Sequence, residues 1–163
     1  MVVSYPLMGE KISVSMMTSE EIKTYLPYRD PFLFVDNILR VSEQGITGEY
    51  TFDERSYFYK GHFKDQPVTP GLILTETMAQ IGVVCLGIYL IKEDLGKVLP
   101  KIALSSHKVD FYIPVFPGEK VTVVSEKKVF RFGKLKCFVQ LFNDKEELVC
   151  RGEISGMLKT SYE

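Results

Sequence analysis

The hydrophobic positions of this chain form one long continuous stretch near the middle and shorter alternating stretches on either side. From Leu72 to about Leu90 the residues are apolar on nearly every side of a helix. The polar exceptions in that stretch are Thr75, Glu76, Thr77 and Gln80. A helix with no continuous polar face is buried inside a protein rather than lying on its surface. Pro70 suits the first turn of this helix, because that position has no intrahelical hydrogen bond to lose.

Two segments before this helix predict strands. Residues 32–41, Phe32 to Val41, are β-branched and aromatic enough for a buried strand. Residues 46–52 alternate between apolar and polar, which is the period of a strand with one face inward. Further upstream, residues 18–21 (Thr-Ser-Glu-Glu) have the form of a capping box. They would begin a short helix that stops at Leu26-Pro27, because the residue before a proline avoids the helical region.

The second half of the chain predicts the sheet that covers the helix. A strand at residues 109–113 ends at a Pro-rich interruption, and alternation resumes at Val121. Turn signals at residues 132–134 and 143–145 separate the strands that follow. We predict three long antiparallel strands after the buried helix and two strands before it, which gives an α+β sheet wrapped around a helix.

The chain has no internal repeat, low-complexity tract or linker, so residues 18–163 are predicted to form a single domain. Residues 1–17 lack clear periodicity and are predicted to be an N-terminal extension. Along the helix, the apolar side chains are expected to pack in the core first, with some of them also lining a tunnel. These residues are Leu72, Ile73, Val83, Val84 and Leu86.

Composition narrows the class of protein. A chain of 163 residues, with 45% hydrophobic and 25% charged residues, is typical of one soluble domain with a real core. A net charge of -1 does not favour binding to nucleic acid or to a membrane surface. The longest apolar run, residues 81–91, is shorter than the roughly 20 residues that cross a bilayer. The N-terminus lacks the pattern of a signal peptide, so a cytoplasmic location is expected.

Cysteine and histidine are too sparse for most metal centres. The three cysteines, at positions 85, 137 and 150, form no Cys-x-x-Cys pair, and there are only two histidines. We therefore expect free thiols in a reducing compartment and no zinc or iron site.

The residues that carry candidate chemistry lie close together in the sequence. His62 stands in a short loop, Gly71 opens the apolar helix, and Glu76 is a lone carboxylate on that helix. An ionised side chain is expensive to bury, so Glu76 needs a reason to be there. Taken singly, each has a structural explanation: a loop histidine, a helix-start glycine, and one half of a buried ion pair. The other histidine, His107, is expected at a partly exposed strand end.

Several sequence blocks, in the same order along the chain, resemble those of one protein family. Residues 26–36 (LPYRDPFLFVD), 61–63 (GHF), 67–71 (PVTPG) and 76–80 (ETMAQ) resemble the 3-hydroxyacyl-[acyl-carrier-protein] dehydratases of fatty-acid synthesis. Residues 111–119 (FYIPVFPGE) resemble the segment that precedes the last strands in that family. The resemblance implies a hot-dog fold, an antiparallel sheet wrapped around one long central helix, and agrees with the pattern above.

The resemblance also implies the site. His62 would be the catalytic histidine, Glu76 the catalytic carboxylate, and Gly71 the residue whose N–H holds the thioester carbonyl. Substrate-binding positions would be Phe63, Pro70, Leu72 and Gln80. The family works as a homodimer, or as a higher oligomer built from dimers, whose sites combine the histidine and carboxylate of different protomers. An acyl carrier protein presents the substrate, and neither a metal nor an organic cofactor is implied.

The chemistry suits these residue types. Removing water from a 3-hydroxyacyl thioester requires a base for a C2 proton, an acid for the C3 hydroxyl, and stabilisation of the enolate-like carbonyl. Imidazole exchanges a proton near neutral pH, and a carboxylic acid in an apolar pocket can hold the proton that the leaving hydroxyl requires. A backbone N–H at a helix start carries partial positive charge that suits the oxyanion.

Some positions depart from the family pattern without removing a catalytic group. Tyr28 and Asp30 stand where histidine and tyrosine are usual, and Lys64-Asp65 replaces proline-glycine. The chain is therefore expected to be a divergent member that serves a specialised acyl pathway. An acidic carrier protein would dock on basic residues. The candidates are Arg29, Lys60, Lys64, Lys101, Lys108, Arg131 and Lys134.

Two other functions are compatible with these residues. A hot-dog acyl thioesterase would use a carboxylate to activate water against the same carbonyl, and it would release free thiol. A non-catalytic acyl-binding subunit would bind the thioester without turnover. The Gly-His-Phe block argues against the first, and the presence of His62, Glu76 and Gly71 argues against the second.

Overall fold

A computed structural model of the chain describes residues 16–96 and 100–159. Most of the predicted N-terminal extension lies outside the described residues. The helices are α1 (Ser19–Thr24), α2 (Gly71–Ala79) and α3 (Leu86–Leu90), with a π-helical segment (Gln80–Cys85) and 3₁₀ turns at Tyr57–Lys60 and Lys92–Asp94. The strands are β1 (Asn37–Ser42), β2 (Gly45–Thr51), β3 (Lys101–Phe111), β4 (Lys120–Arg131), β5 (Lys134–Phe142) and β6 (Leu148–Lys159).

The described strands form one antiparallel sheet in the order β1-β2-β4-β5-β6-β3. Consecutive strands β4, β5 and β6 pair through tight connections, whereas β3 lies at the far edge beside β6. The turn predicted at residues 132–134 is present, with Phe132 and Gly133 both at positive φ. The two edges of the sheet are therefore β1 and β3.

The sheet wraps around a central helix, Gly71–Leu90, made of α2, the π-helical segment and α3. Glycines let the strands approach it closely. A Cβ at Gly48 of β2 would lie 2.8 Å from Ile81, and one at Gly87 would lie 2.5 Å from Leu158 of β6. Length and composition alone would let this helix cross a membrane, but 78% of its most apolar window is buried inside the fold. The prediction of a buried helix is confirmed.

The start of α1 follows the sequence signal. Thr18 accepts a hydrogen bond from the Glu21 backbone N–H, and the Glu21 carboxylate accepts one from the Thr18 N–H. Each side chain thus satisfies an N–H group that the first turn leaves without an intrahelical partner. The helix ends at Thr24, close to the predicted stop.

The prediction of a buried strand over residues 32–41 is wrong. The strand begins only at Asn37, and β1 is an edge strand with mostly exposed residues. Phe34 and Val35 are buried, but the backbone of this segment is held by a side chain of the central helix. The Phe34 N–H donates to Gln80 Oε1 at 2.8 Å, and the Phe32 carbonyl accepts from Gln80 Nε2 at 3.0 Å.

The strand count after the helix also needs correction. Four described strands follow it rather than three, because β3 begins at Lys101 instead of near Val109. Its burial is low along most of its length, because it is an edge strand that the helix covers only in part. His107 therefore lies within β3 and is exposed, not at the start of a strand.

Candidate active site

The loop that carries His62 closes on itself. The His62 N–H donates to the Phe58 carbonyl at 3.0 Å, and the Val68 N–H donates to the His62 carbonyl at 2.9 Å. Thr69 continues the loop, donating its N–H to the Val115 carbonyl and sharing a 2.6 Å hydrogen bond with the Tyr59 hydroxyl. These bonds fix the histidine directly before the start of the central helix.

The His62 ring has a defined tautomer. Its Nδ1 lies 2.8 Å from the Val68 carbonyl oxygen. A carbonyl oxygen can only accept, so Nδ1 must carry the proton, and in the neutral ring Nε2 is left as the acceptor. The Phe63 ring stacks on the imidazole, with centroids 4.2 Å apart. The arrangement presents a half-buried imidazole whose Nε2 can accept a proton.

The helix start offers backbone donors. Pro70 is the N-cap of α2 and Gly71 is its first residue, so the Gly71 N–H is one of the N–H groups that no helix carbonyl reaches. A Cβ at Gly71 would lie 3.2 Å from the Phe111 ring, which is tighter than an ordinary contact. Glycine therefore lets Phe111 of β3 pack directly on the helix start. The predicted helix begins at Gly71 rather than within a turn that includes Pro70.

Glu76 is held by a buried glutamine one turn along the helix. Gln80 Nε2 donates to Glu76 Oε1 at 2.9 Å. The orientation of this amide is determined, because the Phe34 N–H requires an acceptor and the Phe32 carbonyl requires a donor. Gln80 is fully buried, so the geometry gives it a role in positioning Glu76.

A small cavity lies beside Glu76. It has a volume of about 30 Å³ and lies between the central helix and strands β3 and β6. Its lining residues are Tyr28, Glu76, Ala79, Val83, Val84, Ile102, Leu104 and Gly156. Burial, together with the nearby Glu76 carboxylate and Cys85 thiol, raises the pKa of Tyr28 to about 12. The Tyr28 phenol is therefore neutral at physiological pH.

The predicted site residues fall into two groups. His62, Phe63, Pro70 and Gly71 surround the loop and helix start, whereas Glu76 and Gln80 belong to the cavity side of the helix. His62 is not among the described residues that line the cavity. Leu72 is not a core residue as predicted: it is 77% exposed, because it lies on a side of the first helical turn that the sheet does not cover.

Sequence reasoning did not place Tyr28 in the site. A signal was available in the sequence, because Tyr28 stands where the family block usually has histidine. No sequence signal marks the contacts of Val68 and Phe111. Val68 contacts the His62 ring through its backbone carbonyl, which any residue could supply. Phe111 packs on the helix start because Gly71 has no Cβ.

Among residues 16–96 and 100–159, no group of three or more His, Cys, Asp or Glu side chains could hold a metal ion. The three cysteines are buried and free. Burial raises the pKa of the Cys85 and Cys150 thiols to about 12 and that of Cys137 to about 11, so they are poor nucleophiles.

Comparison with known proteins identifies the family of the chain. The family model for the FabA-like domain matches residues 26–154. The chain is 34% identical over 143 residues to the 3-hydroxyacyl-[acyl-carrier-protein] dehydratase FabZ of Clostridium perfringens, covering 85% of this chain and 96% of the relative. It is 34% identical over 149 residues to the enzyme of the same name from Petrotoga mobilis, covering 89% of this chain and 100% of the relative.

Solved structures with the same architecture are more distant in sequence. The dehydratase heterocomplex ApeI:P from Xenorhabdus doucetiae matches with a TM-score of 0.72 at 15% identity, covering 85% of this chain and 90% of that chain. Thioesterase HI1161 from Haemophilus influenzae matches with a TM-score of 0.57 at 15% identity, covering 76% and 77%. The predicted hot-dog fold is confirmed, and likeness at this identity speaks for the fold alone.

Proposed function

The chain belongs to the FabA-like family of 3-hydroxyacyl-[acyl-carrier-protein] dehydratases, and we propose that it removes water from 3-hydroxyacyl thioesters carried on an acyl carrier protein. The product is the trans-2-enoyl thioester. The observation that carries this proposal is the lone carboxylate, Glu76, held by Gln80 at the wall of an apolar cavity. That placement suits an acid that protonates a hydroxyl on an acyl chain.

Each group has one role in the proposed reaction. His62 Nε2 removes a proton from C2 of the substrate, and the electron pair of that C–H bond forms the C2–C3 double bond. Glu76 Oε2 gives its proton to the C3 hydroxyl, so the C3–O bond breaks and water leaves. The Gly71 N–H donates to the thioester oxygen while it carries the developing negative charge. The imidazolium proton of His62 then passes through solvent to the Glu76 carboxylate, which restores both groups for the next turnover.

The Val68 carbonyl supports the role of His62. It holds Nδ1 as a donor, which orients the ring and stabilises the imidazolium that forms after proton transfer. General acid–base groups of this kind contribute roughly 10²–10⁴-fold each, and one oxyanion donor contributes about 10²–10³-fold. No step in this sequence calls on a metal or an organic cofactor.

We propose that the site is completed by a second copy of this chain. Several large apolar side chains are exposed near the helix start, where Phe111 of β3 packs on Gly71; they include Leu72 at 77% and Phe63 at 59% exposure. Leu104, Phe111 and Tyr112, in or next to β3, are also exposed. Exposed apolar side chains next to an open strand edge favour protein association, and we take them to mark one face. A homodimer across this face would place His62 of one protomer near Glu76 of its partner.

The carrier protein would approach the His62 side. Lys60 and Lys64 are exposed and flank the histidine in the loop, so they are the strongest of the predicted basic positions for an acidic partner. Replacing Lys64 and Lys108 with alanine should raise KM for the carrier-bound substrate and leave turnover of a short pantetheine thioester unchanged. Unchanged carrier-dependent kinetics would remove these two positions from the docking site. A cytoplasmic location also remains a prediction.

The test of the reaction is turnover of 3-hydroxyacyl carrier substrates, followed by mass spectrometry for loss of one water. His62→Ala and Glu76→Gln should each abolish water loss. His107→Ala and Glu93→Gln are matched controls, because both side chains are exposed and lie outside the cavity. Free thiol without water loss would indicate a thioesterase, and tight binding with neither product would indicate an acyl-binding subunit.

Mixing the two inactive variants tests the composite site. A mixed dimer of His62→Ala and Glu76→Gln protomers contains one intact pair, because each protomer supplies the group that its partner lacks. Exchange of subunits should therefore restore part of the activity. Activity that stays absent after verified exchange would place both groups within one protomer.

A further inference from the structure

Two buried hydroxyl groups close the loop that carries His62. Tyr59 lies in the 3₁₀ turn before the histidine, and Thr69 follows Val68 at the end of the loop. The Tyr59 hydroxyl and Thr69 Oγ1 are 2.6 Å apart, and the two residues are only 5% and 3% exposed. Because both are buried, solvent competes little for this hydrogen bond, which joins the start of the loop to its end.

The backbone at Thr69 supports the imidazole. The Val68 carbonyl and the Thr69 N–H belong to the same peptide unit, which is planar. The carbonyl lies 2.8 Å from His62 Nδ1, and the N–H donates to the Val115 carbonyl at 2.8 Å. Since the unit is rigid, a rotation that breaks the Val115 contact also turns the Val68 carbonyl away from the ring.

The Thr69 side chain gives this peptide unit a second point of attachment. The Val115 contact alone lets the unit turn about the axis of one hydrogen bond. The Thr69 hydroxyl adds a contact to a different element, the 3₁₀ turn that contains Tyr59. The same turn accepts the His62 N–H through the Phe58 carbonyl, at 3.0 Å. The histidine and the peptide unit that holds its ring are thus tied to one turn.

We propose that Tyr59 and Thr69 are positioning residues, whose hydrogen bond keeps the proton of the His62 ring on Nδ1. They act through the Val68 carbonyl. Without their hydrogen bond the peptide unit can turn, the ring proton can move to Nε2, and the ring then lacks the acceptor that a base requires. The kinetic part of this inference rests on the proposed dehydration, whereas the position of the ring proton is measurable without any substrate.

Removing either hydroxyl should lower kcat. Tyr59→Phe and Thr69→Val nearly keep the shape of the side chain and delete its hydroxyl. Each should lower kcat per folded molecule by about 10- to 100-fold at a nearly constant KM, because the base is misplaced while the substrate contacts remain. Thr69→Ser keeps the hydroxyl and should retain most of the activity. Tyr89→Phe is the matched control and should leave kcat unchanged, since Tyr89 is also 5% exposed but lies near the far end of the central helix.

The double variant tests whether the two residues act as a pair. Tyr59→Phe and Thr69→Val break the same hydrogen bond, so combining them should lower kcat little further than either does alone. Effects that multiply would show that the two residues act independently, and would overturn the inference.

The tautomer of His62 is a readout that a loss of stability alone does not move. The chain has two histidines, so ¹⁵N-histidine labelling gives few signals, and His107→Ala assigns them. At about pH 9 imidazole groups are neutral, and burial raises the pKa of Tyr59, so its hydroxyl keeps its proton. The unmodified protein and Thr69→Ser should carry the proton on Nδ1, whereas Tyr59→Phe and Thr69→Val should show both tautomers.

The single variants separate a positioning role from a structural one. If both are less stable in urea but keep the Nδ1 proton and their kcat per folded molecule, the hydrogen bond only stabilises the fold and the inference is overturned. A fall in kcat with an unchanged tautomer, or an altered tautomer with an unchanged kcat, would overturn it as well. Absence of water loss from the unmodified protein would overturn the proposed function, and the ¹⁵N spectra would still decide whether the hydrogen bond holds the His62 proton.

Discussion

The two halves of the central helix have almost the same apolar composition but different surroundings. In α2, Gly71, Ile73 and Glu76 are only partly buried and Leu72 is exposed. From Gln80 to Tyr89 every residue is buried. The same kind of sequence thus forms part of the candidate site in the first half of the helix and a core element in the second half. What differs is how completely the sheet covers each half.

The strands approach the second half from several directions. Gly48 of β2 faces Ile81, Ser125 of β4 donates to the Gly82 carbonyl at 2.8 Å, and Gly87 lies against Leu158 of β6. The first half meets the edge strand β3 through Phe111. Reactive groups can lie on a helix in an otherwise dry core because one end of that helix is left partly open.

Matched leucine truncations should separate the two halves most strongly. Leu86→Ala removes a fully buried side chain and should lower the free energy of unfolding by about 2–5 kcal/mol. Leu72→Ala should change it by less than about 0.5 kcal/mol within one protomer, because this side chain is exposed. Urea denaturation measures both changes. Repeating it at several protein concentrations separates folding from association.

The effects of the two variants on dimer association should be the reverse of their effects on stability. Leu72→Ala should weaken the dimer in sedimentation experiments, whereas Leu86→Ala should leave the association of folded protomers unchanged. A large loss of stability from Leu72→Ala that does not depend on concentration would contradict the division of the helix into two halves.

Gln80 lies at the junction between the halves, and Gln80→Leu should affect both. Three hydrogen bonds are lost, and the Phe34 N–H and Phe32 carbonyl are left without their partner. Each buried polar group left unpaired costs about 1–3 kcal/mol. Because Glu76 also loses its donor, kcat should fall by up to about 100-fold at a nearly constant KM.

Gln44→Leu is the control for that substitution, since Gln44 is exposed and its side chain should be dispensable. Stability and kcat distinguish the roles of Gln80. If stability falls but kcat per folded molecule does not, Gln80 anchors the segment before β1 without positioning Glu76.

Ser125→Ala tests the packing of the second half on a smaller scale. It removes one buried hydrogen bond to the Gly82 carbonyl and should lower the free energy of unfolding by about 1 kcal/mol. The activity of the folded protein should be unchanged, because the π-helical segment remains enclosed by the sheet. Ser42→Ala, at an exposed position of β1, should have a smaller effect, because the hydrogen bond that it removes, from the Gln44 N–H at 3.2 Å, is exposed to solvent.

Alkaline pH should reveal the burial of Cys85 in the second half of the helix and of Tyr28 beside the cavity. Burial raises the pKa of the Cys85 thiol from 9.0 to about 12 and that of the Tyr28 phenol from 10.0 to about 12. The unfolded chain therefore releases these protons first, and stability falls as pH rises from about 9 to 12. Cys85→Ala should reduce the loss from pH 9 upward, and Tyr28→Phe only the loss above pH 10. Urea titrations at pH 8, 9, 10 and 11 measure both effects. If the free energy of unfolding falls with pH at the same rate in all three proteins, Cys85 and Tyr28 are not the groups responsible.

Local signals accounted for much of the fold. The capping box at Thr18, the alternation of β2 and the long apolar helix all act between residues close in sequence. His62, Gly71 and Glu76 could be named because their blocks resemble a family. The pattern could not show which side of the first helical turn the sheet leaves open, and Leu72 was therefore assigned to the core.

Errors arose where distant residues decide the structure. Residues 32–36 have strand composition, but their backbone partners belong to the Gln80 side chain on the central helix. Strand β3 was predicted too short because an exposed edge strand does not have to alternate. Of the helix residues expected to line a tunnel, Val83 and Val84 do line the cavity beside Glu76. Its remaining walls could not be predicted, because Tyr28, β3 and β6 are distant from the helix in sequence.

The position of β3 at the far edge also bears on the order in which the molecule assembles. β3 follows the central helix directly, yet it pairs with β6, so Lys101 lies opposite Lys159 at the end of the described chain. Contacts between residues so far apart in sequence close late and slow folding. Because the cavity takes walls from both β3 and β6, a newly synthesised chain acquires this cavity only after β6 has emerged from the ribosome.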